Sequence, residues 1–415
     1  MESPQKIKLS PDEIEKLLDP RLIRERAGMI FSSCEKGTTH FSYHPDKLSD
    51  CAAFVAETIK ELYPNLEVPF HSRFRHFEAG NANRVRELQK TWHHLSEEEQ
   101  LVRLWDLCIV SVYLDAGAGE KWSYKDKDSK HYTRSEGLGV ATFNMFVEGL
   151  FSRDPQKDPC RVDAEKLEQL DLISFEKAFQ STADNQLLGV ESRFKLIKNL
   201  AVCMSKRSQF FTFNKELRPG NILRYSIQNQ NKNNYSASKL LSDILIGFQD
   251  LWPKRLNCDE INFGDCWHYS PFGELSFNSL MPFHKLSQWL CYSLLDPLQN
   301  AGYTLVNLSR LTGLPEYRNG GLLLDEGVIQ LRDNVNLRST HDLHSDLIIE
   351  WRALTIVLLD KLGDEIRALF KKNADEWPLV KILEGGTWHA GRKAAMRRRG
   401  TLNAPLKIAS DGTVF

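Results

Sequence analysis

The sequence of 415 residues has few of the features that mark a special class of protein. No stretch reaches the ~18 apolar residues of a membrane span, and the polar residues 1–11 lack the basic flank and apolar stretch of a secretion signal. Lysine plus arginine (54) nearly balances aspartate plus glutamate (55), so the field of the whole chain is too weak to attract duplex nucleic acid or an anionic membrane. We therefore expect an intracellular protein, cytoplasmic with the nucleus left open, that binds neither nucleic acid nor membrane.

Paired cysteines and histidine metal motifs are also missing. The eight cysteines are scattered with no two-residue spacing, which predicts neither a zinc knuckle nor a redox pair, and we expect reduced, mostly buried thiols. The twelve histidines form no HExxH pattern, and His341 with His344 at three-residue spacing is too little for a metal site. The prediction is a protein with no metal and no cofactor.

Helical periodicity dominates what is present. Apolar residues recur at three- and four-residue steps in several long segments. The predicted helices cover residues 48–62, 101–114, 283–294 and 347–366. Clear period-two strands are few, and the best candidates are 66–75 and 302–308. With 41% hydrophobic residues the chain can bury a large core, and the predicted class is mainly α with few short strands.

Turn-forming composition marks two breaks, at 152–159 and 228–236, which are the best candidates for surface crossings between lobes. They suggest an N-terminal helical lobe, 1–152, and a C-terminal helical lobe, 153–415. A single continuous domain is the alternative.

The segment HSRFRH, residues 71–76, is a candidate anion site. If it is extended, His71, Arg73 and Arg75 share one face, and three cationic side chains there suit a phosphate or carboxylate. A solvated edge strand with surface ion pairs explains the same spacing equally well.

A glycine-rich loop, DAGAGEKW, follows the predicted central helix at 115–122. It carries the acid Asp115 and the indole of Trp122, and Glu136 lies in the RSEG segment that opens the next helix. A glycine loop joined to a helix N-terminus can hold an anion. Glycine also simply ends helices, and that structural alternative is favoured here.

The segment GDCWHY, residues 264–269, crowds an acid, an imidazole and two aromatic rings into six positions. Asp265, Trp267 and His268 suit stacking on, and hydrogen bonding to, a flat base or a sugar. The alternative is a loop that packs its rings into the core, and the functional interpretation is slightly favoured.

The most specific segment is LPEYRNGG, residues 314–321, because its polar residues stand between two apolar runs. Glu316, Arg318 and Asn319 precede a pair of glycines where backbone can closely approach a ligand. A structural Glu316–Arg318 bridge is the alternative, but an ion pair rarely improves on apolar packing, so a role on substrate is favoured.

The segment LEGGTWHAGR, residues 383–392, is followed by three arginines at 397–399 and could also hold an anion. A basic solvated tail is the favoured interpretation.

These segments together resemble a known family. The motifs that carry the resemblance are IRERA, PFHSRFRHF, DAGAGEKW, RSEGL, GDCWHYSPFG, FHKLSQWL, GLPEYRNGGLLLDEGV, EWRALT, LEGGTW and the closing SDGTVF. They are similar to the domain of unknown function shared by fungal and bacterial uracil catabolism protein 4. The resemblance spans nearly the whole chain. It implies a role in degrading uracil after its conversion to the ribonucleotide, with ring opening by a cyclohydrolase-like partner and release of urea.

A more distant resemblance supplies a chemistry. FHKLSQ, which contains His284, then LTGLPEYR and EWRA are similar in order and spacing to the C-terminal half of the queuosine nucleosidases, helical N-glycoside hydrolases whose fold is similar to that of DNA glycosylases. Their catalytic aspartate corresponds to Glu316, while Tyr317 and Arg318 match outright and Arg352 carries over. Asn319-Gly320-Gly321 departs from their pattern and suggests a different substrate.

The resemblances therefore imply an N-ribosyl hydrolase that releases urea and a pentose from a ribosylurea or ureido riboside, with or without a 5′-phosphate. Glu316 would stabilise the oxocarbenium-like state, and Asp265 would assist the leaving urea or bind ribose hydroxyls. The expected substrate-binding residues are His71, Arg73, Arg75, Asp115, Trp122, Glu136, Trp267, His268, His284, Tyr317, Arg318, Asn319 and Arg352.

Two other functions stay open. One is an amidohydrolase that cleaves a ureide C–N bond, for which a metal-bound water or an activated nucleophile would be needed. The other is a non-catalytic module, either a nucleic-acid binder or a scaffold. The expected partners are a small-molecule substrate and, transiently, the cyclohydrolase-like enzyme of the pathway.

Overall fold

The computed structural model describes residues 5–115, 117–119, 121–258, 261–332 and 339–409. The protein is mainly α, with short strands in small two- and three-stranded sheets, as the sequence predicts. The chain divides into two compact units. The first unit comprises Met1–His71, Lys254–Trp289 and Asn307–Phe415, and the second comprises Ser72–Pro253 and Leu290–Val306.

The first unit is built around one long helix, Asp346–Phe370, against which the helices Pro20–Glu35 and Leu48–Leu62 pack. Its other helical segments are Pro11–Leu17, Pro45–Lys47, Ser270–Phe272, Phe277–Ser279, the start of Lys285–Asn300, Leu308–Arg310, Tyr317–Asp325, Leu379–Ile382, the π-helical turn Leu383–Thr387 and Trp388–Arg399. Ile349, Ala353 and Ile356 of the long helix lie in an apolar cluster with Trp267 and Phe283. Burial of this stripe, at roughly 1.5–3 kcal/mol per large side chain, holds the helix in place.

Short strands join distant parts of the first unit. Phe41–Tyr43 pairs antiparallel with Ile329–Leu331, and Cys266–His268 pairs antiparallel with Leu280–Pro282. The remaining pairs are Gln5–Lys6 with Leu256–Cys258, Leu256–Cys258 with Ile261–Asn262, and Thr340–Asp342 with Lys407–Ala409. The strand Cys266–His268 lies within the predicted GDCWHY segment.

The second unit has the buried helix Glu97–Tyr113 at its centre. Its other helical segments are Arg73–Phe77, Arg84–Lys90, Arg134–Val147, Ala164–Gln169, Leu172–Ala178, Val190–Lys206, Ser208–Phe211, Pro219–Asn221, Ile222–Gln228, Ala237–Gly247, Gln249–Leu251 and the end of Lys285–Asn300. Its strand pairs are Ser123–Lys125 with His131–Thr133, Thr212–Phe213 with Glu216–Leu217, and Tyr235–Ser236 with Leu305–Val306.

The central helix begins with Ser96, whose hydroxyl accepts the backbone N–H of Glu99. About two turns after Glu99, Asp106 is fully buried, and Arg218 forms an ion pair with it at 2.6 Å. Arg218 also reaches Glu99 at 2.8 Å. Burial acts to raise the pKa of Glu99, but Arg218, Arg224 and Arg103 together lower it to about 2.

Several predictions of secondary structure are confirmed. The predicted helix at 48–62 has these same bounds in the structure, and the 347–366 segment lies in Asp346–Phe370. The 101–114 segment lies in the buried helix Glu97–Tyr113 except for its last residue, which caps that helix. The strand predicted at 66–75 is wrong. Ser72 instead caps a short helix, Arg73–Phe77, by accepting the N–H of Phe74. Of the strand predicted at 302–308, only Leu305–Val306 pairs.

The eight cysteines are free thiols and all are buried. Both composition breaks, 152–159 and 228–236, lie inside the second unit. None of the helices in the described ranges combines the length and the apolarity that a membrane crossing requires.

Candidate functional site

The predicted site residues divide between the two units. Those in the first unit are His71, Asp265, Trp267, His268, His284, Glu316, Tyr317, Arg318, Asn319 and Arg352. Those in the second unit are Arg73, Arg75, Asp115, Trp122 and Glu136.

Asp265 and Arg352 form a buried ion pair in the first unit, called here the Asp265–Arg352 centre. The guanidinium donates to both carboxylate oxygens, at 2.8 and 2.7 Å. Trp267 Nε1 donates to Oδ1 at 2.7 Å and the backbone N–H of Lys285 donates to Oδ2 at 3.0 Å. This geometry is bidentate, the form in which a guanidinium and a carboxylate interact most strongly.

Asp265 is therefore held in its ionised form. Burial acts to raise the pKa of its carboxyl, but Arg352 and the indole of Trp267 outweigh burial and hold the pKa far below its usual range. Such a carboxylate suits orienting Arg352 rather than donating a proton. Trp267 itself lies in the apolar cluster beneath the long helix, with Arg255 over its ring at 5.1 Å.

Two predicted histidines have backbone partners. His284 is 2% exposed, and its Nε2 donates to the carbonyl of Leu17 at 2.8 Å. Burial lowers the pKa of His284, which favours its neutral form. His268 Nε2 lies 2.8 Å from the carbonyl of Gly273 and closes the turn beyond its strand.

Glu316 caps the helix Tyr317–Asp325. Its Oε2 accepts the N–H of Arg318 at 2.8 Å and its Oε1 accepts the N–H of Asn319 at 2.7 Å. Two of the N–H groups that a helix leaves without intrahelical partners are thus satisfied by one side chain. The carboxylate is fixed in one orientation and is 9% exposed. The alternative of a Glu316–Arg318 side-chain bridge does not describe these contacts, because Glu316 bonds to backbone.

The first of the paired glycines after Asn319, Gly320, has a packing role that the sequence did not reveal. A Cβ on Gly320 would lie 2.7 Å from Nε1 of Trp351 on the long helix, and that indole donates to the Gly320 carbonyl at 3.1 Å. A Cβ on Gly391 would lie 2.5 Å from the carbonyl of Arg318. At Gly320 the close approach is therefore between helices, and the expectation that this glycine admits a ligand is wrong.

The side-chain amide of Asn319 has one atom with a hydrogen bond and one without a partner among the described residues. Its Nδ2 donates to the carbonyl of Leu314 at 3.0 Å, which fixes the orientation of the amide. Its Oδ1 is buried and finds no hydrogen-bond donor among the described residues. A buried acceptor of this kind costs ~1–3 kcal/mol unless a ligand or water satisfies it.

Arg318 points from the capped helix to an aromatic cluster. Its guanidinium lies 4.3 Å from the ring centre of Trp388 and 5.5 Å from that of Tyr317. Arg392 lies over the same indole at 5.1 Å. Tyr317, Arg318, Arg392 and Arg399 line a cavity of about 10 Å³, enough for roughly one water.

His71 and Glu384 form a second buried pair in the first unit, called here the His71–Glu384 dyad. His71 Nδ1 lies 2.7 Å from Oε2 of Glu384, and the hydroxyl of Tyr63 donates to Oε1 at 3.1 Å. Trp289 and Trp388 place their ring centres 6.4 and 6.1 Å from that of the imidazole. Glu384 is a candidate that the sequence reasoning missed, because 313 positions separate it from its partner.

The interpretation of residues 383–392 as a basic solvated tail is wrong. Leu383–Thr387 is a π-helical turn whose residues are all buried. A Cβ on Gly385 would lie 2.8 Å from a methyl of Val68, and one on Gly386 would overlap a methyl of Val55. The glycines let the turn lie against the helix Leu48–Leu62, and π-helical turns are common at functional sites.

In the second unit, Arg73 is fully buried, so the alternative of a solvated edge strand is wrong. Its Nε donates to the hydroxyl of Ser111 at 2.8 Å, and its Nη1 lies 3.1 Å from Oδ1 of Asp115 and 3.1 Å from Nδ1 of His76. The predicted HSRFRH and DAGAG segments thus meet through the Arg73–Asp115 pair.

Arg75 behaves differently from Arg73. It pairs with Asp296 at 2.7 Å and lines a cavity of about 480 Å³. Trp122 donates its indole N–H to the carbonyl of Phe179 at 2.9 Å and is fully buried, while Glu136 is half-buried in the first turn of Arg134–Val147.

Within the described ranges, no three histidine, cysteine, aspartate or glutamate side chains converge in a way that could hold a metal ion.

Comparison with known proteins places this chain in a family. Residues 16–415 match the model of a protein family of unknown function, DUF1688. The chain is 37% identical to uracil catabolism protein 4 of Lachancea kluyveri, over 95% of this chain and 97% of that protein. It is 36% identical to protein urg3 of Schizosaccharomyces pombe, over 98% of this chain and all of that protein. The chain belongs to the DUF1688 family.

Proposed function

We propose that this protein acts in uracil catabolism as a hydrolase of an N-glycosidic bond. The substrate would be a ribosylurea or ureido riboside, with or without a 5′-phosphate, and the products would be urea and the pentose. The name of the Lachancea kluyveri relative supports the pathway. The resemblance of Glu316-Tyr317-Arg318 to the nucleosidase pattern supports the chemistry.

The observation that carries the proposal is the fixed carboxylate of Glu316. Cleavage of an N-glycoside builds positive charge on the ring oxygen and the anomeric carbon, and a carboxylate already held in place stabilises that charge without reorganisation. The two amide hydrogen bonds hold Glu316 in this way. Each of its oxygens keeps a further lone pair for water or substrate.

Neighbouring groups suit a ureide and a phosphate. The buried Oδ1 of Asn319 is an acceptor for a ureide N–H, which would satisfy it. Arg318, Arg392 and Arg399 line the small cavity beside the capped helix and suit a 5′-phosphate. Because that cavity holds roughly one water, a pentose enters only after the arginine side chains over Trp388 move aside.

The direct test incubates the purified protein with ribosylurea and with its 5′-phosphate and measures urea and free pentose. We expect urea and pentose in equal amounts. Ammonia released with the pentose still attached would instead indicate the amidohydrolase. No turnover of either compound contradicts the proposal.

Variants of Glu316 separate catalysis from capping. Serine caps helices as well as a carboxylate does, so Glu316→Ser keeps the helix end but removes the charge. We expect Glu316→Ser and Glu316→Gln to lose several orders of magnitude in kcat, and Glu316→Asp to recover part of it. Thermal unfolding of Glu316→Ser should stay close to that of the wild type. Unimpaired turnover by Glu316→Ser would leave Glu316 with a capping role alone.

A further inference from the structure

The His71–Glu384 dyad has the form of an oriented acid–base group. A carboxylate that accepts from Nδ1 fixes the tautomer of an imidazole and stabilises the positive charge that the ring carries once Nε2 is protonated. The distance of 2.7 Å between Nδ1 and Oε2 is that of a charge-assisted hydrogen bond. Among the described residues no hydrogen bond to Nε2 is formed. The outer nitrogen of His71 is therefore available to a ligand.

The surrounding backbone holds the dyad firmly. The N–H of His71 donates to the carbonyl of Val380 at 3.1 Å, which ties His71 to the residues just before the π-helical turn. Tyr63 occupies the other oxygen of Glu384. The turn itself requires glycine at 385 and 386, because a side chain at 385 would collide with Val68 and one at 386 would collide with Val55 of the helix Leu48–Leu62. A histidine held in place only for packing does not need a buried carboxylate, which is costly to desolvate.

A second observation points to a ligand beside the dyad. Thr387 ends the same π-helical turn and is fully buried, and its Oγ1 finds no hydrogen-bond partner among the described residues. Three residues before it, Glu384 bonds to His71, and one residue after it the indole of Trp388 lies beside the imidazole. The turn thus offers an unsatisfied hydroxyl next to an available imidazole nitrogen.

Trp388 also connects the dyad with the helix that Glu316 caps. One indole has the imidazole of His71 beside it at 6.1 Å and the guanidinium of Arg318 over it at 4.3 Å. Arg318 stands two residues after Glu316, and its N–H holds the Glu316 carboxylate. The two groups therefore belong to one continuous cluster of the first unit.

We propose that His71, oriented by Glu384, is the general acid that protonates the leaving nitrogen of the ureide. This proposal rests on the proposed function. The C1′–N bond breaks, its electron pair goes to the urea nitrogen, and the proton on Nε2 of His71 neutralises that nitrogen. The oxygen of a water molecule then bonds to C1′, and the proton that this water loses returns to Nε2. The net reaction is ribosylurea plus water to ribose plus urea.

The nature of the leaving group decides how strongly the reaction depends on a general acid. Urea leaves poorly as an anion, so protonation of its nitrogen contributes about 10²–10⁴-fold to the rate. A p-nitrophenolate leaves readily without a proton. The acid therefore matters for a ureido riboside and hardly matters for p-nitrophenyl β-D-riboside, provided that the same carboxylate stabilises the pentose in both reactions.

The experiment uses His71→Asn in the full-length protein with these two substrates. The side-chain amide of asparagine places an N–H where Nδ1 stands, so the hydrogen bond to Glu384 is kept while Nε2 is removed. We expect a loss of 10²–10⁴-fold in kcat/KM on ribosylurea and less than tenfold on p-nitrophenyl riboside. Equal losses on both substrates, or no loss on either, would overturn the acid role.

Glu384→Gln is the second variant, because it keeps the size of the side chain but removes its charge. Glu384 is a positioning residue here, and we expect its variant to show the same substrate-dependent loss at smaller magnitude. If His71→Asn fails to fold, this pattern in Glu384→Gln decides the question in its place. A wild-type protein that hydrolyses neither substrate refutes the proposed function, and the acid role with it. A wild type active on both, with variants that lose neither or both alike, refutes the acid role alone.

Discussion

The Asp265–Arg352 centre and the His71–Glu384 dyad, both buried in the first unit, differ in how fully their polar atoms are hydrogen-bonded. In the Asp265–Arg352 centre both carboxylate oxygens are occupied by the guanidinium and by further donors. In the His71–Glu384 dyad the carboxylate is occupied, but the outer imidazole nitrogen has no bond to a described residue. A buried pair whose polar atoms are all hydrogen-bonded is typical of a group that stabilises the fold. An imidazole that is held in one orientation, with one nitrogen open to a ligand, is typical of an acid–base group.

The largest loss of stability should come from removing one charge of the Asp265–Arg352 centre. Asp265→Asn keeps the shape of the side chain but leaves the buried charge of Arg352 uncompensated. We expect a loss of ~3–5 kcal/mol in the free energy of unfolding, measured by urea denaturation. The matched control is Asp360→Asn, which removes the same charge from a partly exposed pair with Arg24 and should cost under ~1 kcal/mol. Equal losses in the two variants would mean that Asp265 is not a structural charge.

Glu99 in the second unit, which pairs with Arg218, Arg224 and Arg103, gives a second, partly buried charge whose contribution to stability should depend on pH. The pKa of Glu99 falls from 4.5 in the unfolded chain to about 2 in the folded protein, although burial alone would raise it. At ~1.4 kcal/mol per tenfold change in proton affinity, this lowering is worth about 3 kcal/mol. The stabilisation is complete above pH 4.5 and is lost as the pH falls toward 2.

Glu99→Gln should therefore lose about 3 kcal/mol of unfolding free energy at pH 7 and much less near pH 2. Chemical denaturation at several pH values measures the difference. Glu98→Gln is the control, since Glu98 is 45% exposed and its pairing with Arg224 should contribute under ~1 kcal/mol. A penalty for Glu99→Gln that does not change with pH would show that packing, not charge, holds this residue.

The smallest effect on stability should come from the dyad. His71→Asn keeps the hydrogen bond to Glu384, and Nε2 has no described partner to lose, so we expect a change below ~1 kcal/mol in urea denaturation. A loss comparable to that of Asp265→Asn would place the dyad in the same structural class as the Asp265–Arg352 centre. The contrast between small loss of stability and large loss of ureide turnover is what distinguishes the two pairs.

Elements with strong periodicity were predictable from the sequence. The helix Leu48–Leu62 follows from its apolar stripe and from the proline that comes two residues after its end, and the long helix Asp346–Phe370 follows from its buried stripe. The segment 66–75 was not, because a local serine cap outweighs its period-two pattern. Short segments have too few residues for their hydrophobic periodicity to distinguish a helix from a strand.

The sequence named residues of the candidate site but did not predict their pairings. His71, Asp265 and Arg352 were named from the sequence, whereas the partnership of Asp265 with Arg352 spans 87 positions. The packing roles of the glycines at 320, 385 and 386 were not predictable, for one physical reason. A glycine that permits flexibility and one that permits tight packing look alike in sequence, and only the neighbouring element distinguishes them.

The buried thiols have a practical consequence. Burial raises the pKa of Cys51, Cys108, Cys266 and Cys291 well above the usual range and that of Cys203 to about 12, so the native protein presents almost no thiolate at these positions. Alkylating reagents act on thiolates and need access to sulfur. Carboxamidomethylation of these residues, read by mass spectrometry, will therefore report how often each unit opens, without any engineered label.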